Sequence, residues 1–392
     1  MSKQSGPLDN IVDYRKHLSY TMTFTESSQG KLSKPKVIGT AIMMFIIPLG
    51  CFVSVVKSEE LKESLENFKG VMAEVMMISV LLNETIFGPE REERLFEYLS
   101  KCHMTTRYGL AEEHTIIRNA GDSARKETFV YALLFIVNCP LMLLTKPVMA
   151  AIAGQSWKQL PLPWTLPEGD DVVLNAVLLL QIVGLLISHV VAIVMMSVLA
   201  ITTQLNAQFD VVILGLRRIE DLAAQKATEY GLSHSDSMLS CIKESVAHHQ
   251  ELIRELLLVK PHLETEFFCQ IMTISIIMAC EVYPLIKKDL ELSDAVRGIW
   301  FLIVQVLCTA LICNKMEVMS NKNVEVCDAL YNTCWYDCDI RYRRVVLNAI
   351  TFSQNPIPIR GKGFLGMKAC RETFYSAMVS TYNMLNMLRN AQ

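Results

Sequence analysis

Apolar residues gather into six membrane-length runs along the chain, at 37–56, 68–87, 129–152, 172–201, 267–286 and 296–313. A helix needs about 20 predominantly apolar residues to cross the hydrocarbon core of a bilayer. A seventh run, 367–388, has the length of a span but carries Ser376, Ser380, Thr381, Asn383 and Asn386. The second run, with Glu74, is also weak by hydropathy alone, and Glu281 sits in the fifth. Polar groups at membrane depth must face protein or water. The last run is therefore the first candidate for lining a pore. Segments between the spans also have pattern. Residues 209–222 and 245–258 repeat apolar positions at three-to-four spacing, as in Val212, Leu216 and Ile219, then Leu252, Leu256 and Val259. Such stripes need partners. They predict fourth, fifth and sixth helices that continue below the membrane and pack together. The segment after the third span differs, because Pro161, Pro163 and Pro167 alternate with Trp157 and Trp164, which reads as a cap rather than a helix.

Charge chooses the orientation. Of the 37 Lys and Arg residues, 26 fall in segments 1–36, 88–127, 202–263 and 315–366. These lie on one side of a seven-span chain, and basic loops stay in the cytoplasm. The N-terminus is thus expected inside and the C-terminus outside. The pattern divides the chain into a cytoplasmic N-terminus (1–36) and a six-helix bundle (37–313) with helical cytoplasmic segments at 88–127 and 202–263. A cytoplasmic region (314–363) and a last helix with the outer C-terminus (364–392) follow.

The composition narrows the class. Of the 392 residues, 51% are hydrophobic, and the formal net charge is only -3. That is apolar for a soluble protein and carries no basic footprint for nucleic acid. Residues 1–36 show no apolar core of a signal peptide. Twelve cysteines are scattered, many inside apolar runs, and are read as reduced, buried small hydrophobes. Cys334 and Cys338 lie one turn apart, but no second pair follows at zinc spacing. His248-His249 lacks a metal-protease pattern and reads as solvated or packed. Asn83-Glu84-Thr85 falls at the inner end of a span, where glycosylation is not expected. No phosphate-cradling glycine loop or nucleophile elbow is present, so no enzyme and no cofactor is expected.

The C-terminal block then suggests a family. Tyr331, Trp335, the basic run Arg341, Arg343 and Arg344, the stretch Ser353-Gln354-Asn355-Pro356, and Thr381-Tyr382 fall in one order. With seven spans, reversed orientation and a Pro-rich outer loop, the chain resembles an insect odorant receptor along essentially its whole length. The resemblance implies an all-α membrane protein whose seven helices carry a helical cytoplasmic anchor, built from extensions of helices four to seven. It implies four subunits around one pore lined by the last helix, with 334–352 as the cytoplasmic part of the final segment and 364–388 as its membrane part. The segment 202–263 is far shorter than in the family's obligate co-receptor. Leu385 and Leu388 stand where that co-receptor has its gate residues. The chain is therefore more similar to an odorant-tuning subunit of a heterotetrameric, non-selective cation channel. Its implied partners are a co-receptor subunit, a small volatile organic ligand, membrane lipid and permeating cations. Its implied place is the plasma membrane of olfactory sensory neuron dendrites.

In relatives the ligand lies in the outer half of the bundle, and threading direction then picks positions. The second span offers Met72, Val75, Met76 and Ser79; the third Asn138, Leu141, Met142 and Thr145; the fourth Leu180, Val183 and Ile187. The fifth offers Ile277, Cys280 and Tyr283; the sixth Trp300, Phe301 and Val304. An odorant site needs apolar area with few polar contacts. Tyr283 and Trp300 add a flat face plus one donor. In the last helix Met378, Thr381, Leu385 and Leu388 share a face by helical spacing and form the expected pore and gate. The alternative is that this face packs on a neighbouring helix and Asn383 or Asn386 faces the pore. Arg341, Arg343 and Arg344 are expected in ion pairs between subunits or at the cytoplasmic exits. Glu74 and Glu281 are expected to pair with Lys146 or Arg297. Two rivals stand beside this reading. A gustatory-type receptor would share the fold, but this chain has Leu388-Arg389 where that branch often has Gln-Phe. A secondary transporter often shows internal repeats, and no repeat is visible.

Overall fold

The computed structural model describes residues 49–57, a few positions between 64 and 98, and residues 106–152, 154, 171–286, 292–361 and 366–390. Seven α-helices are labelled here in chain order: α1 Ala111–Ile152, α2 Asp171–Arg217, α3 Ile219–Tyr230, α4 His234–Ile286, α5 Leu292–Tyr331, α6 Ile340–Ser353 and α7 Arg371–Asn390. Spans three, four, five, six and seven lie in α1, α2, α4, α5 and α7. Residues 49–57, the end of the first span, are also helical. Most of the second span, including Glu74 and Asn83, lies outside the described residues, as do 155–170 of the Pro/Trp segment. Among the described residues the only β-type pairing is one isolated bridge, Arg360 with Lys368.

Length decides the architecture. At 1.5 Å per residue the 47 residues of α2 reach about 70 Å, and the 53 of α4 about 80 Å. Both exceed the roughly 30 Å hydrocarbon core, so both continue into the cytoplasm, as does α5. Their lower halves pack against one another and against α3 and α6. Phe209, Leu216, Ile242, Leu252, Leu256, Val326 and Tyr342 are buried there. Three stretches of described residues, Val198–Arg217, His234–Val282 and Asp294–Tyr331, are long and apolar enough to cross a membrane by length and composition.

Local chemistry corrects three expected boundaries. The stripe Val212, Leu216, Ile219 does not run through one helix: Arg218 turns at φ -102° and ψ 19°, and α3 begins after it. The cytoplasmic part of the final segment starts with a 3-10 turn, Trp335–Asp337. Its α-helix begins only at Ile340, because Asp339 caps it by accepting the Tyr342 N–H at 2.8 Å. The last helix starts at Arg371 rather than 367. Ahead of it, Gly361 N donates to Met367 O and Ala369 N to Ile359 O, which holds the chain in a closed link.

Candidate functional site

Side-chain contacts fix how the helices line up. At the inner end of the third span the Glu127 carboxylate of α1 lies 2.7 Å from Lys315 Nζ of α5 and 3.4 Å from Thr203 Oγ1 of α2. One turn higher, the Tyr131 hydroxyl sits beside the Cys308 thiol of α5. The helices α1 and α5 run antiparallel, so each step up α1 is a step back along α5. Asn138 lies seven residues above Tyr131 on the same face of α1. The register puts Asn138 level with Trp300 and Phe301, about 10 Å above Tyr131. Between α4 and α5, Gln270 Nε2 donates to Thr309 Oγ1 at 3.3 Å. That contact brings Ile277 and Cys280 to the same level.

Ile277, Cys280 and Val304 are buried there. Met72, Asn138, Leu141, Thr145, Leu180, Trp300 and Phe301 are half-buried. Val75, Met76 and Ser79 lie outside the described residues, as do the side chains of Met142, Val183, Ile187 and Tyr283. The polar members of this layer differ in how they are satisfied. Thr145 Oγ1 donates to the Leu141 carbonyl one turn below. Asn138 Oδ1 and Trp300 Nε1 are buried and have no hydrogen-bond partner among the described residues. At the outer end of α5, Arg297 pairs with Asp294 at 3.1 Å, with both side chains buried.

The last helix has two unlike flanks. Thr373, Ala377 and Thr381 are buried, with Phe374 and Met378 packed on the hydrophobic core. Thr381 Oγ1 donates to the Ala377 carbonyl at 2.9 Å and reaches Ser275 O of α4 at 3.5 Å. Met378 and Thr381 thus stand on the flank that packs against α4 and α5. Leu385 is half-buried, and the side chain of Leu388 lies outside the described residues. The exposed flank holds Tyr375, Ser376, Val379, Ser380, Tyr382, Asn383 and Met387. Asn383 is thus open on the single subunit, and Asn386 is half-buried.

Below the membrane, buried polar groups form defined networks. Asn323 of α5 donates from Nδ2 to Ser353 O at 3.3 Å and Asn355 O at 2.8 Å, while its Oδ1 lies 2.9 Å from His249 Nε2. The link after α6 is held by these bonds and by Ile357 N donating to Ser320 O. His248 bonds the Tyr108 hydroxyl at 3.2 Å. Burial, together with the nearby Arg107 and His249, pulls its imidazole down to about 3. Burial also lowers His249, against the hydrogen bond it makes to Asn323 Oδ1. The histidine pair is therefore packed rather than solvated. Two members of the basic run also make contacts inside the chain. Arg341 pairs within the chain, with Asp339 at 2.8 Å and Asp236 at 3.0 Å. Arg343 donates to the carbonyls of Cys338 and Tyr336. Both are exposed, and both hold the α6 entry in place. Burial raises the Cys334 thiol to about 12, which keeps it a neutral, unreactive thiol. No cluster of three or more metal-ligating side chains occurs among the described residues. Sequence reasoning passed over Asn323, since nothing in its local pattern marks it.

Comparison with known proteins gives the arrangement a context. Residues 91–382 match the family described as 7tm Odorant receptor. Odorant receptor 85f of Drosophila melanogaster is 27% identical over 116 residues, which is 30% of this chain and 29% of that protein. The insect olfactory receptor OR5 of Machilis hrabei, solved in complex with eugenol, superposes with a TM-score of 0.78 at 14% identity, covering 98% of this chain and 100% of that one. The structure of OR5 alone superposes with a TM-score of 0.76 over the same shares.

Proposed function

Because the chain belongs to the seven-transmembrane odorant receptor family, we propose that it is the odorant-binding subunit of a heterotetrameric, odorant-gated, non-selective cation channel. Its partner is a co-receptor subunit, and it acts in the plasma membrane, in dendrites of olfactory sensory neurons. The carrying observation is the exposed flank of α7. A membrane helix that leaves Ser376, Ser380 and Asn383 open needs protein or water against them. Other subunits and a water-filled pore supply both. The pore wall is drawn from that flank, with Leu385 and Asn386 at its edge, and Leu385 narrows the closed pore by excluding water. Met378 and Thr381 act instead as packing against the rest of the subunit.

The odorant occupies the layer of Asn138, Ile277, Cys280, Trp300, Phe301 and Val304, together with the candidates of the second and fourth spans. Burying its apolar area at roughly 25 cal/mol per Å² supplies most of the several kcal/mol that binding needs. The lower halves of α2, α4, α5 and α6 form the anchor on which the tetramer assembles. Whole-cell recording from cells expressing the chain alone and with an insect co-receptor tests the reading. Odorant-evoked cation current only in the pair is the expected result. Current from the chain alone would assign a self-sufficient homotetramer. Silence of the pair at the cell surface, across a broad odorant panel, would overturn the channel reading.

A further inference from the structure

A polar group buried without a partner is costly, and nearly all such groups in native proteins are hydrogen-bonded. At the level where Ile277, Cys280 and Val304 are buried, two such atoms have no hydrogen-bond partner among the described residues, Asn138 Oδ1 on α1 and Trp300 Nε1 on α5. Neighbouring polar groups are used otherwise. Thr145 bonds the Leu141 carbonyl, Gln270 bonds Thr309, and Arg297 bonds Asp294. The register set by Tyr131 with Cys308 and by Glu127 with Lys315 places the two open atoms at one depth on helices that touch. The residues level with them, Ile277, Cys280, Phe301 and Val304, are apolar. An apolar layer with two open polar atoms is the composition of a small-molecule site.

The two atoms differ in kind. Trp300 Nε1–H only donates, whereas Asn138 Oδ1 only accepts. A hydroxyl is the smallest group that satisfies both, because its oxygen accepts one hydrogen bond while its proton makes another. An ether, ester or ketone satisfies Trp300 and leaves Asn138 open. A hydrocarbon satisfies neither.

We infer that this chain selects hydroxyl-bearing odorants. The alcohol or phenol oxygen accepts from Trp300 Nε1–H, its O–H donates to Asn138 Oδ1, and its carbon skeleton lies against Ile277, Cys280, Phe301 and Val304. The inference rests on the odorant-receptor reading above and adds the ligand class.

The test records dose–response curves from the chain with its co-receptor. The probes are 1-hexanol, 1-octanol and 2-phenylethanol, their methyl ethers, and the parent hydrocarbons. The alcohols should be about tenfold more potent than the ethers, with the hydrocarbons weaker again. Asn138→Leu should lower alcohol potency about tenfold and leave ether potency within twofold. Trp300→Phe should weaken alcohols and ethers together and spare hydrocarbons. Saturating ether current through Asn138→Leu reports that the variant folds and reaches the surface. If a variant does not, the order of the three classes on the wild-type channel decides alone. Ethers or hydrocarbons equal to or ahead of alcohols on the wild type overturn the inference and leave the channel reading standing, as do variants that shift all three classes alike. No current from any class, with both subunits at the surface, overturns the channel reading and this inference with it.

Discussion

Replacing Asn323 by alanine is expected to loosen the junction between α5 and the link that leads to α7. Asn323 is only 2% exposed. Both amide hydrogens go to carbonyls, so its Oδ1 must accept from His249, which therefore carries its proton on Nε2. Alanine strips all three bonds at once. Asn355 is exposed, and its carbonyl recovers a bond from water, so that loss contributes little. His249 and Ser353 are buried. Each buried group left unpaired costs about 1–3 kcal/mol, giving a total of about 2–6 kcal/mol. Against a typical stability of about 5–15 kcal/mol this is large. The assay is size-exclusion chromatography of the fluorescently tagged, solubilised complex after heating. Asn321→Ala, an exposed asparagine two residues away on the same helix, serves as the control. The Asn323 variant should melt several degrees below that control. Equal melting of the two variants would refute the reasoning.

Three further outcomes follow from particular contacts. A Cβ on Gly215 would stand 2.6 Å from the Tyr108 ring, so Gly215→Ala should cost about 1–3 kcal/mol in the same melting assay. Adding Tyr108→Leu should recover part of that loss, and a wild-type melt for Gly215→Ala alone would count against the packing. His248 falls from 6.5 to about 3 in the folded protein, so the unfolded chain binds the extra proton first as pH drops. Stability from this group is full above the unfolded value and declines below about pH 6.5. The loss reaches about 1.4 kcal/mol by pH 5.5, and His248→Gln should flatten that decline; identical pH slopes would exclude the assignment. Leu385→Ala should raise basal current or alter ion selectivity in the co-expressed channel, and unchanged values of both would remove Leu385 from the gate.

Much of the architecture was legible because lipid imposes a coarse rule. A span must be long and apolar, and α1, α2, α4 and α5 obey it visibly. The continuation of these helices below the membrane was readable from Leu252, Leu256 and Val259, because an apolar stripe on a cytoplasmic segment demands a partner. Boundaries were harder. Apolar spacing continues across Arg218, yet the helix breaks there. The true start of α7 depends on the closed link ahead of it, which pairs residues eight apart and leaves no periodic trace. The last helix illustrates a different limit. Thr381 reads as polar on a helical wheel, but its hydroxyl bonds the carbonyl four residues back, so it packs like a small apolar residue. Arg341 reads as a charge for a neighbouring subunit or a cytoplasmic exit, and only the fold brings Asp236, 105 residues earlier in sequence, beside it. Long-range partners of this kind are set by how the helices cross, which no local pattern encodes.

Among the described residues α7 is tied most firmly at its lower end, and in the proposed channel this shapes how ligand binding reaches the pore. At the lower end the Arg371 backbone N–H and Nε both donate to Glu317, Thr373 Oγ1 donates to Lys368 O, and the link before them is tied to α5. Higher up, the seam with α4 runs through small side chains, where Ser275 meets Ala377 and Thr381 at 3.5 Å. A 20-residue helix is about 30 Å long, so a tilt of about 10° about a fixed lower end moves its outer end by about 5 Å. Ile277 and Cys280 lie about half a turn and little more than one turn above Ser275 on the same helix. A ligand that favours one position of α4 therefore biases the seam directly, and only differential affinity for the two positions drives opening. Enlarging the buried residue in that seam tests the point. Ala377→Val should shift basal and maximal current, because it changes how closely α7 approaches α4. It should leave the relative potencies of alcohols, ethers and hydrocarbons unchanged, because it touches none of the ligand layer. Altered relative potencies at constant basal current would show that the seam and the ligand layer are one site, and the separation of binding from gating drawn here would fail.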